Sequence, residues 1–187
     1  MIRWLLLLIA GALLGGIVHL TTIIMLPRTA TQDAYSRLEP IVPVNAVVSL
    51  PAPTPEKALM PFMDPAFATA VCRYDLNEGP LRVTVPVSLA YSSVSFFTRH
   101  DIAYYAINDR AAGRKIIQLD LMTAEQHSEL PEDENVTAAD RLIVESPTLM
   151  GLVTFRALAP EPGMMPMAQQ SVDAAKCIRW QGPPPSQ

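Results

Sequence analysis

The densest group of chemically versatile side chains in this sequence is the tripeptide Arg99-His100-Asp101. A histidine between an arginine and a carboxylate can act as a general acid or base, or supply part of a metal site. The tripeptide falls between two predicted strands, where a polar sequence is also typical of a solvated turn. His100 and Asp101 are therefore weak catalytic candidates, and an enzymatic role would require both side chains to face one cleft.

Other signatures of catalysis are missing from the sequence. It contains no GxSxG, HExxH, P-loop or GxGxxG motif, and no histidines and cysteines at the spacing of a metal site. We therefore expect no cofactor and no metal, and the sequence favours a protein that is not an enzyme.

The two cysteines, Cys72 and Cys177, lie near the two ends of the part of the chain that follows residue 27. They have neither CxxC spacing nor a nearby histidine cluster, so they do not indicate a metal site. In an oxidising compartment they predict one disulfide that closes a loop of about a hundred residues. Two reduced, buried thiols in a cytosolic domain are the alternative.

The uncharged segment from Trp4 to Leu26 determines where the rest of the chain can act. As a helix it would be about 34 Å long, which is enough to cross the hydrocarbon core of a bilayer. A cleavable signal peptide has a shorter apolar core, of about 7–15 residues, followed by small residues. Because Pro27-Arg28 interrupts the approach to Thr29-Ala30-Thr31, we expect an uncleaved membrane anchor over residues 1–27.

One face of this predicted helix contains small and polar residues, namely Gly11, Gly15, His19 and Thr22. Helices associate in lipid through close backbone contact at small residues and through hydrogen bonds between helices. This face predicts a partner helix, either on another single-pass membrane protein or on a second copy of the chain. A haem-ligating or proton-relaying His19 is the alternative, and it would need a second protein to complete the site.

The charges that flank the anchor do not decide its orientation, because Arg3 precedes it and Arg28 and Arg37 follow it. The cysteine pair favours an oxidising compartment for the following domain. We therefore expect the amino terminus inside and the domain outside.

The composition is that of a globular domain joined to an apolar helix. The sequence is 50% hydrophobic and 17% charged, with a formal net charge of −4. This balance lacks the basic excess of a nucleic-acid-binding protein, so we expect no nucleic acid as a partner.

Residues 28–63 are expected to form a juxtamembrane helix followed by a proline-rich strap. The segment from Asp33 to Glu39 places its apolar residues on one helical face. Prolines then recur every few residues, which excludes long helices and central strands. The apolar residues between them are too numerous to leave in water, so the strap should lie over the domain surface.

Residues 64–181 are dominated by alternation of apolar and polar residues, which predicts strands. About seven short strands with turn signals between them indicate an antiparallel β-sandwich or a jelly-roll-like pair of sheets. The predicted strands lie around Ala70–Leu76, Leu81–Val87, Ser92–Thr98, Ile102–Ala106, Ile117–Leu121, Leu142–Val144 and Val153–Ala157.

Three short helices are predicted to accompany these strands. The first begins at Asp64-Pro65 and extends to about Ala70, and the second, from Thr123 to Leu130, opens with a capping box. The third, from Met167 to Ile178, contains Cys177. Residues 182–187 are expected to form a disordered tail.

Several short stretches together resemble a bacterial family of predicted membrane proteins called domain of unknown function 1254. These stretches are Gly16-Ile-Val-His-Leu20 with Pro27, Asp33-Ala-Tyr35, Asp64-Pro65, Cys72-Arg-Tyr-Asp-Leu76 with Gly79-Pro80, Ala139-Asp-Arg-Leu-Ile-Val-Glu-Ser-Pro147, and Gly151 to Arg156. The chain is similar to the short, membrane-anchored form of the family, and none of the matching stretches is a catalytic signature.

The resemblance implies a bacterial integral membrane protein. With the orientation that the cysteine pair favours, we expect it in the inner membrane, with a cytoplasmic amino terminus and a periplasmic domain. Longer relatives contain this domain followed by a second β-rich domain, so the resemblance also implies a partner that supplies the second domain from its own anchor. It implies no activity and no functional residues.

Three functional hypotheses follow. The first is a non-catalytic subunit of an envelope complex that binds a sister anchored β-domain protein. The second is a binding module for a small apolar or sugar-like ligand, in a pocket lined by residues such as Phe96, Tyr104 and Phe155. The third is an enzyme that uses His100 and Asp101 with help from a partner chain.

Overall fold

The computed structural model describes residues 1–29, 33–112, 115–130 and 142–180. The chain divides into two compact units, Met1–Asp33 and Ala34–Gln187. The first unit contains helix α1 (Ile2–Thr29), of which Ile2–Leu26 is long and apolar enough to cross a membrane or to serve as a signal sequence. The predicted disordered tail, residues 182–187, lies outside the described residues.

The second unit is mainly β, as the sequence predicts. Its helical segments are α2 (Ala34–Leu38), α3 (Asp109–Ala112), α4 (Ala124–Ser128), a 3-10 turn (Pro162–Met164) and α5 (Met165–Asp173). Its strands are β1 (Val47–Ser49), β2 (Phe67–Asp75), β3 (Leu81–Pro86), β4 (Ser92–Thr98), β5 (Ala103–Asn108), β6 (Ile116–Thr123), β7 (Leu142–Ser146), β8 (Met150–Leu158) and β9 (Lys176–Arg179).

The strands form two sheets. The five-stranded sheet has the order β1-β2-β8-β4-β5, and the four-stranded sheet has the order β7-β6-β3-β9. All neighbouring strands pair antiparallel except β6 and β7, which pair parallel. The expectation of antiparallel sheets therefore has this one exception among the named strands.

The main hydrophobic core lies between the two sheets. Strand β3 shows how the sequence builds it, because Leu81, Val83 and Val85 are buried while the residues between them are partly exposed. This is the alternation expected of a strand with one face against a core. Ala168 and Val172 of α5 join the same core, so this helix closes it beside β2 and β8.

A second, smaller core covers the other face of the five-stranded sheet. Tyr35 and Leu38 of α2 pack with Leu50 against Val71 and Leu152 of the sheet. Leu59, Met60 and Met63 of the proline-rich segment are packed against this cluster. The outer face of the sheet is thus covered by the segment that connects α1 to β2.

Two of the three predicted helices differ from the structure. Asp64 does accept a hydrogen bond from the backbone N–H of Ala66 (2.9 Å), but β2 begins at Phe67 and no helix follows. The continuous pairing of β2 with β8 from Phe67 to Asp75 overrides the local helix signal.

The third predicted helix is too long at its carboxyl end. Helix α5 ends at Asp173, and Cys177 lies on β9, which pairs with β3. The sequence pattern also predicts neither β1 nor α3. The predicted capping box of α4 is confirmed, since Thr123 and Gln126 bond each other's backbone N–H groups.

Candidate functional site

The predicted helix-contact face lies on the exposed surface of α1. A Cβ atom added at Gly11 or Gly15 would meet nothing within 4 Å, so both positions are open to another backbone. The Thr22 hydroxyl donates to the carbonyl of Val18 (2.8 Å) and is therefore satisfied within the helix. His19 is exposed on the same helix.

The predicted disulfide between Cys72 and Cys177 is present, with the two Cα atoms 6.4 Å apart. Cys72 lies on β2 of the five-stranded sheet and Cys177 on β9 of the four-stranded sheet. Both residues are buried in the main core, so the bond joins the two sheets. The structure thus corrects the prediction that placed Cys177 on a helix.

The turn that contains His100 and Asp101 contacts helix α2. The carboxylate of Asp101 accepts a hydrogen bond from the backbone N–H of Ala34 (2.9 Å), and Asp101 itself has a positive φ of 59°. Arg99 donates to the hydroxyl of Ser36 (3.3 Å). Asp101 and Arg99 therefore hold the start of α2 against the domain, which is a structural task that needs no chemistry.

Tyr35 of α2 lies against two guanidinium groups. Those of Arg99 and Arg73 are 4.2 Å and 4.8 Å from its ring centroid, within the range of cation–π attraction. Arg73 is only 7% exposed, and one of its Nη atoms lies 3.6 Å from the carboxylate of Glu39. Its Nε has no hydrogen-bond partner among the described residues. The two arginines thus fix α2 through its tyrosine.

A buried cluster of hydroxyl groups was not found from the sequence. The phenol oxygen of Tyr74 lies 2.9 Å from the Ser146 hydroxyl, and it accepts a hydrogen bond from the Tyr104 hydroxyl (3.2 Å). The Ser146 hydroxyl donates to the carbonyl of Thr148 (2.6 Å). Because Tyr74, Tyr104 and Ser146 come from β2, β5 and β7, no local spacing could have revealed the cluster.

Gly151 makes room for this cluster. A Cβ atom at Gly151 would lie 2.2 Å from the carbonyl oxygen of Phe97 and 2.4 Å from the hydroxyl of Tyr74. A side chain is therefore excluded at this position, even though Gly151 lies within a strand. The glycine is required by close approach of its neighbours.

The pKa of Tyr104 indicates how the hydroxyl cluster acts. Burial, and secondarily the neighbouring Tyr74, raise the pKa of Tyr104 well above its usual range. The phenol consequently stays protonated at neutral pH and acts as a hydrogen-bond donor rather than as a base or nucleophile. The arrangement joins the sheets through hydrogen bonds.

The rings that were expected to line a ligand pocket belong to the main core. Phe96 and Phe155 are fully buried, and Tyr104 packs against the same cluster with its ring centroid 6.2 Å from that of Phe96. In the described part of the chain, no group of three or more His, Cys, Asp or Glu residues is arranged to hold a metal ion.

The fold and these contacts define a class: a β-domain of two sheets, joined by a disulfide and preceded by one apolar helix. The chain belongs to the family described as protein of unknown function (DUF1254), whose family model matches residues 44–179. The resemblance noted from the sequence is thereby confirmed. No curated protein gives a significant match to the chain.

Solved structures that are similar to the chain include the following two. The VPA0106 protein of Vibrio parahaemolyticus matches 82% of this chain at 17% identity, with a TM-score of 0.59, and it supports the fold alone. An uncharacterized protein of Burkholderia cenocepacia matches 68% at 12% identity, with a TM-score of 0.47. The matched region is 36% and 34% of those two proteins, so this chain spans about a third of their length.

Proposed function

We propose that this protein is a single-pass protein of the bacterial inner membrane that presents its β-domain in the periplasm. In this proposal it is a non-catalytic subunit of an envelope complex, and its partner is a sister protein with its own anchor and companion β-domain. The exposed face of α1 that contains Gly11 and Gly15 is the observation on which the partner rests.

The length and composition of α1 support the membrane anchor, since Ile2–Leu26 can cross a bilayer. The disulfide supports the periplasmic location, because such bonds form and persist in oxidising compartments and are rare in the cytosol. Together they favour a cytoplasmic amino terminus and a domain on the opposite side of the membrane.

The open glycine face supports a partner helix. Small residues four positions apart let two helix backbones approach closely, which is the main source of helix association in lipid. The larger size of the VPA0106 protein of Vibrio parahaemolyticus also supports this proposal. Nearly two thirds of that protein lies outside the region that matches this chain, and a second protein could supply such a region here.

The contacts of the candidate catalytic residues support a role without chemistry. Asp101 binds the backbone of Ala34. Aromatic residues expected around a ligand, such as Phe96 and Phe155, lie in the core. These observations favour the subunit over the ligand-binding module and over the partner-dependent enzyme.

The test is purification of the tagged full-length protein from its native membrane after mild solubilisation, as wild type, Gly15→Leu and Gly16→Leu. Gly16 is the matched control, because it is the adjacent residue and points about 100° away around the helix. We expect a partner in stoichiometric amount with wild type and Gly16→Leu, and its loss with Gly15→Leu.

A second, differently tagged copy of the chain in the same cells identifies a homodimer. Recovery of this copy without a sister protein would mean that the partner helix belongs to a second copy of the chain. Recovery of no stoichiometric partner with any of the three proteins would contradict the subunit proposal.

A further inference from the structure

We propose that residues 34–66, here named the cover segment, open as a unit while the two sheets of the β-domain stay folded. The cover segment contains α2 and β1 and lies over the outer face of the five-stranded sheet. This conformational device is independent of the proposed membrane location and of the proposed partner, so each can fail separately.

The main core does not depend on the cover segment. Its described buried residues all belong to β2 or to later parts of the chain, and so do both cysteines of the disulfide. Val47 of β1 is the one residue of the cover segment that packs against this core, and it is only partly buried. When the cover segment opens, β2 becomes an edge strand, whereas its pairing with β8 and the core between the sheets remain.

The cover segment is bound to the sheet along one short edge. Its backbone pairing with β2 begins at Asn45, whose N–H donates to the carbonyl of Arg73 (2.7 Å), and ends at Leu50, whose N–H donates to the carbonyl of Thr69 (2.8 Å). Four of its side chains are buried in the smaller core, namely Tyr35, Leu38, Val42 and Leu50. A short paired edge and a small buried cluster are typical of segments that open locally, without global unfolding.

Closure of the cover segment requires strained backbone. Among the described residues, three other than glycine have a positive φ, namely Asn45 (56°), Phe62 (61°) and Asp101 (59°). The first two lie in the cover segment, and Asp101 binds the N–H of its first residue, Ala34. Phe62 is the most strained, because Asn and Asp tolerate this region better than a bulky residue does. Its side chain is fully exposed, so packing of the ring does not compensate for the strain.

Closure also leaves a buried polar atom without a hydrogen bond. Arg73 of β2 lies against α2, with its guanidinium 4.8 Å from the Tyr35 ring centroid and one Nη atom 3.6 Å from the Glu39 carboxylate. Its Nε is buried and has no hydrogen-bond partner among the described residues. A buried N–H of this kind is unfavourable, whereas water can bind it once α2 moves away. The strained backbone and this atom destabilise the closed arrangement specifically, which favours opening of the cover segment before the sheets unfold.

Hydrogen–deuterium exchange of the full-length protein in detergent tests this opening. We expect amides of residues 34–50 to exchange at least about a hundredfold faster than those of β3 and β8, which are central strands of the two sheets. Low concentrations of urea should accelerate exchange steeply in β3 and β8 and only slightly in residues 34–50, because local opening exposes little surface. The same rate and the same urea dependence in all three regions would mean that the cover segment opens only when the whole domain unfolds, and would overturn the proposal.

The double variant Cys72→Ala with Cys177→Ala separates local from global opening. The disulfide lies in the part that stays folded, and in the chain-entropy account it stabilises by constraining the unfolded chain. We therefore expect exchange in β3 and β8 to become about a thousandfold faster, and exchange of residues 34–50 to change by less than about threefold. Equal acceleration in both regions would overturn the proposal. If the variant does not fold, the urea dependence of the wild type decides.

The variant Phe62→Asn tests the strained backbone, with Leu89→Asn as the matched control. Leu89 is 83% exposed, lies in the turn before β4 and does not have a positive φ. Because asparagine tolerates the left-handed region, Phe62→Asn should slow the exchange of residues 34–50 by about threefold, whereas Leu89→Asn should leave it unchanged. If the two variants exchange alike at residues 34–50, Phe62 does not open with the rest of the cover segment, and the proposal of one unit is wrong.

Discussion

The β-domain and helix α1 use the same kinds of residue in opposite ways. In the domain, Gly151 is surrounded so closely that a Cβ atom would collide with Phe97 and Tyr74, whereas Gly15 on α1 has open space. The hydroxyl of Tyr74 joins a network across both sheets, whereas that of Thr22 bonds its own helix. The domain thus fills the space around its glycine, whereas the space beside Gly15 of α1 is open.

This comparison separates stability from association. Substitutions at the close contacts of the domain should change its free energy of unfolding and leave binding through α1 unaffected. Substitutions at Gly11 or Gly15 of α1 should weaken binding through this helix and leave the free energy of unfolding of the domain unchanged.

The largest effect on stability is expected from loss of the bond between the sheets. The double substitution Cys72→Ala with Cys177→Ala should lower the free energy of unfolding by about 4 kcal/mol. The reason is that the bond closes a loop with a sequence separation of 105 residues. Urea unfolding of the detergent-solubilised protein, followed by circular dichroism, measures this. Reductant should destabilise the wild type equally and leave the double variant unchanged, and equal midpoints with and without the bond would contradict the prediction.

The next effect is expected at Gly151. Gly151→Ala should lower the free energy of unfolding by about 3 kcal/mol. The reason is that its Cβ atom would lie 2.2 Å from the backbone carbonyl oxygen of Phe97, which cannot move without distorting β4. Gly163→Ala is the control, since an added Cβ meets nothing within 4 Å there, and it should change stability by less than about 0.5 kcal/mol. Equal midpoints for the two variants would show that Tyr74 and Phe97 are not close to Gly151.

A smaller and pH-dependent effect is expected at Tyr104. At pH 7, Tyr104→Phe should lower the free energy of unfolding by about 1 kcal/mol, because the hydrogen bond to Tyr74 is lost. The folded-state pKa of Tyr104 lies above its ordinary value of 10.0, so the unfolded chain loses this proton first as the pH rises. The stability that this group contributes is therefore present below pH 10 and is lost above it.

The difference between wild type and Tyr104→Phe should accordingly shrink as the pH rises above 10, by up to about 1.4 kcal/mol per pH unit. Unfolding midpoints measured at pH 7 and at pH 10 to 11 test this. A constant difference across that range would mean that the Tyr104 phenol titrates alike in the folded and unfolded chain.

The elements predicted correctly from the sequence are those set by local pattern. Strands such as β3 and β4 alternate because one face is buried, and the capping box of α4 needs only Thr123 and Gln126. The apolar length of α1 is likewise a local property. Each of these signals is contained within one short segment.

The features that were missed depend on distant segments. The start signal at Asp64 was overridden by pairing with β8, which lies more than eighty residues later in the chain. The role of Asp101 depends on Ala34, and the hydroxyl cluster unites residues from three strands. Spacing along the sequence has no information about such contacts, so it could not predict that Asp101 binds the backbone of Ala34.

The smallest effect on stability is expected at the glycine face, and it tests the comparison most directly. Gly15→Leu should change the free energy of unfolding of the domain by less than about 0.5 kcal/mol, since an added Cβ atom meets nothing within 4 Å at this position. The same variant should lose its partner during purification, whereas Gly163→Ala should retain it. Urea unfolding and co-purification of one detergent-solubilised sample measure both properties. If Gly15→Leu destabilised the domain, α1 would contribute to its folding, and loss of the partner could no longer be attributed to the helix face.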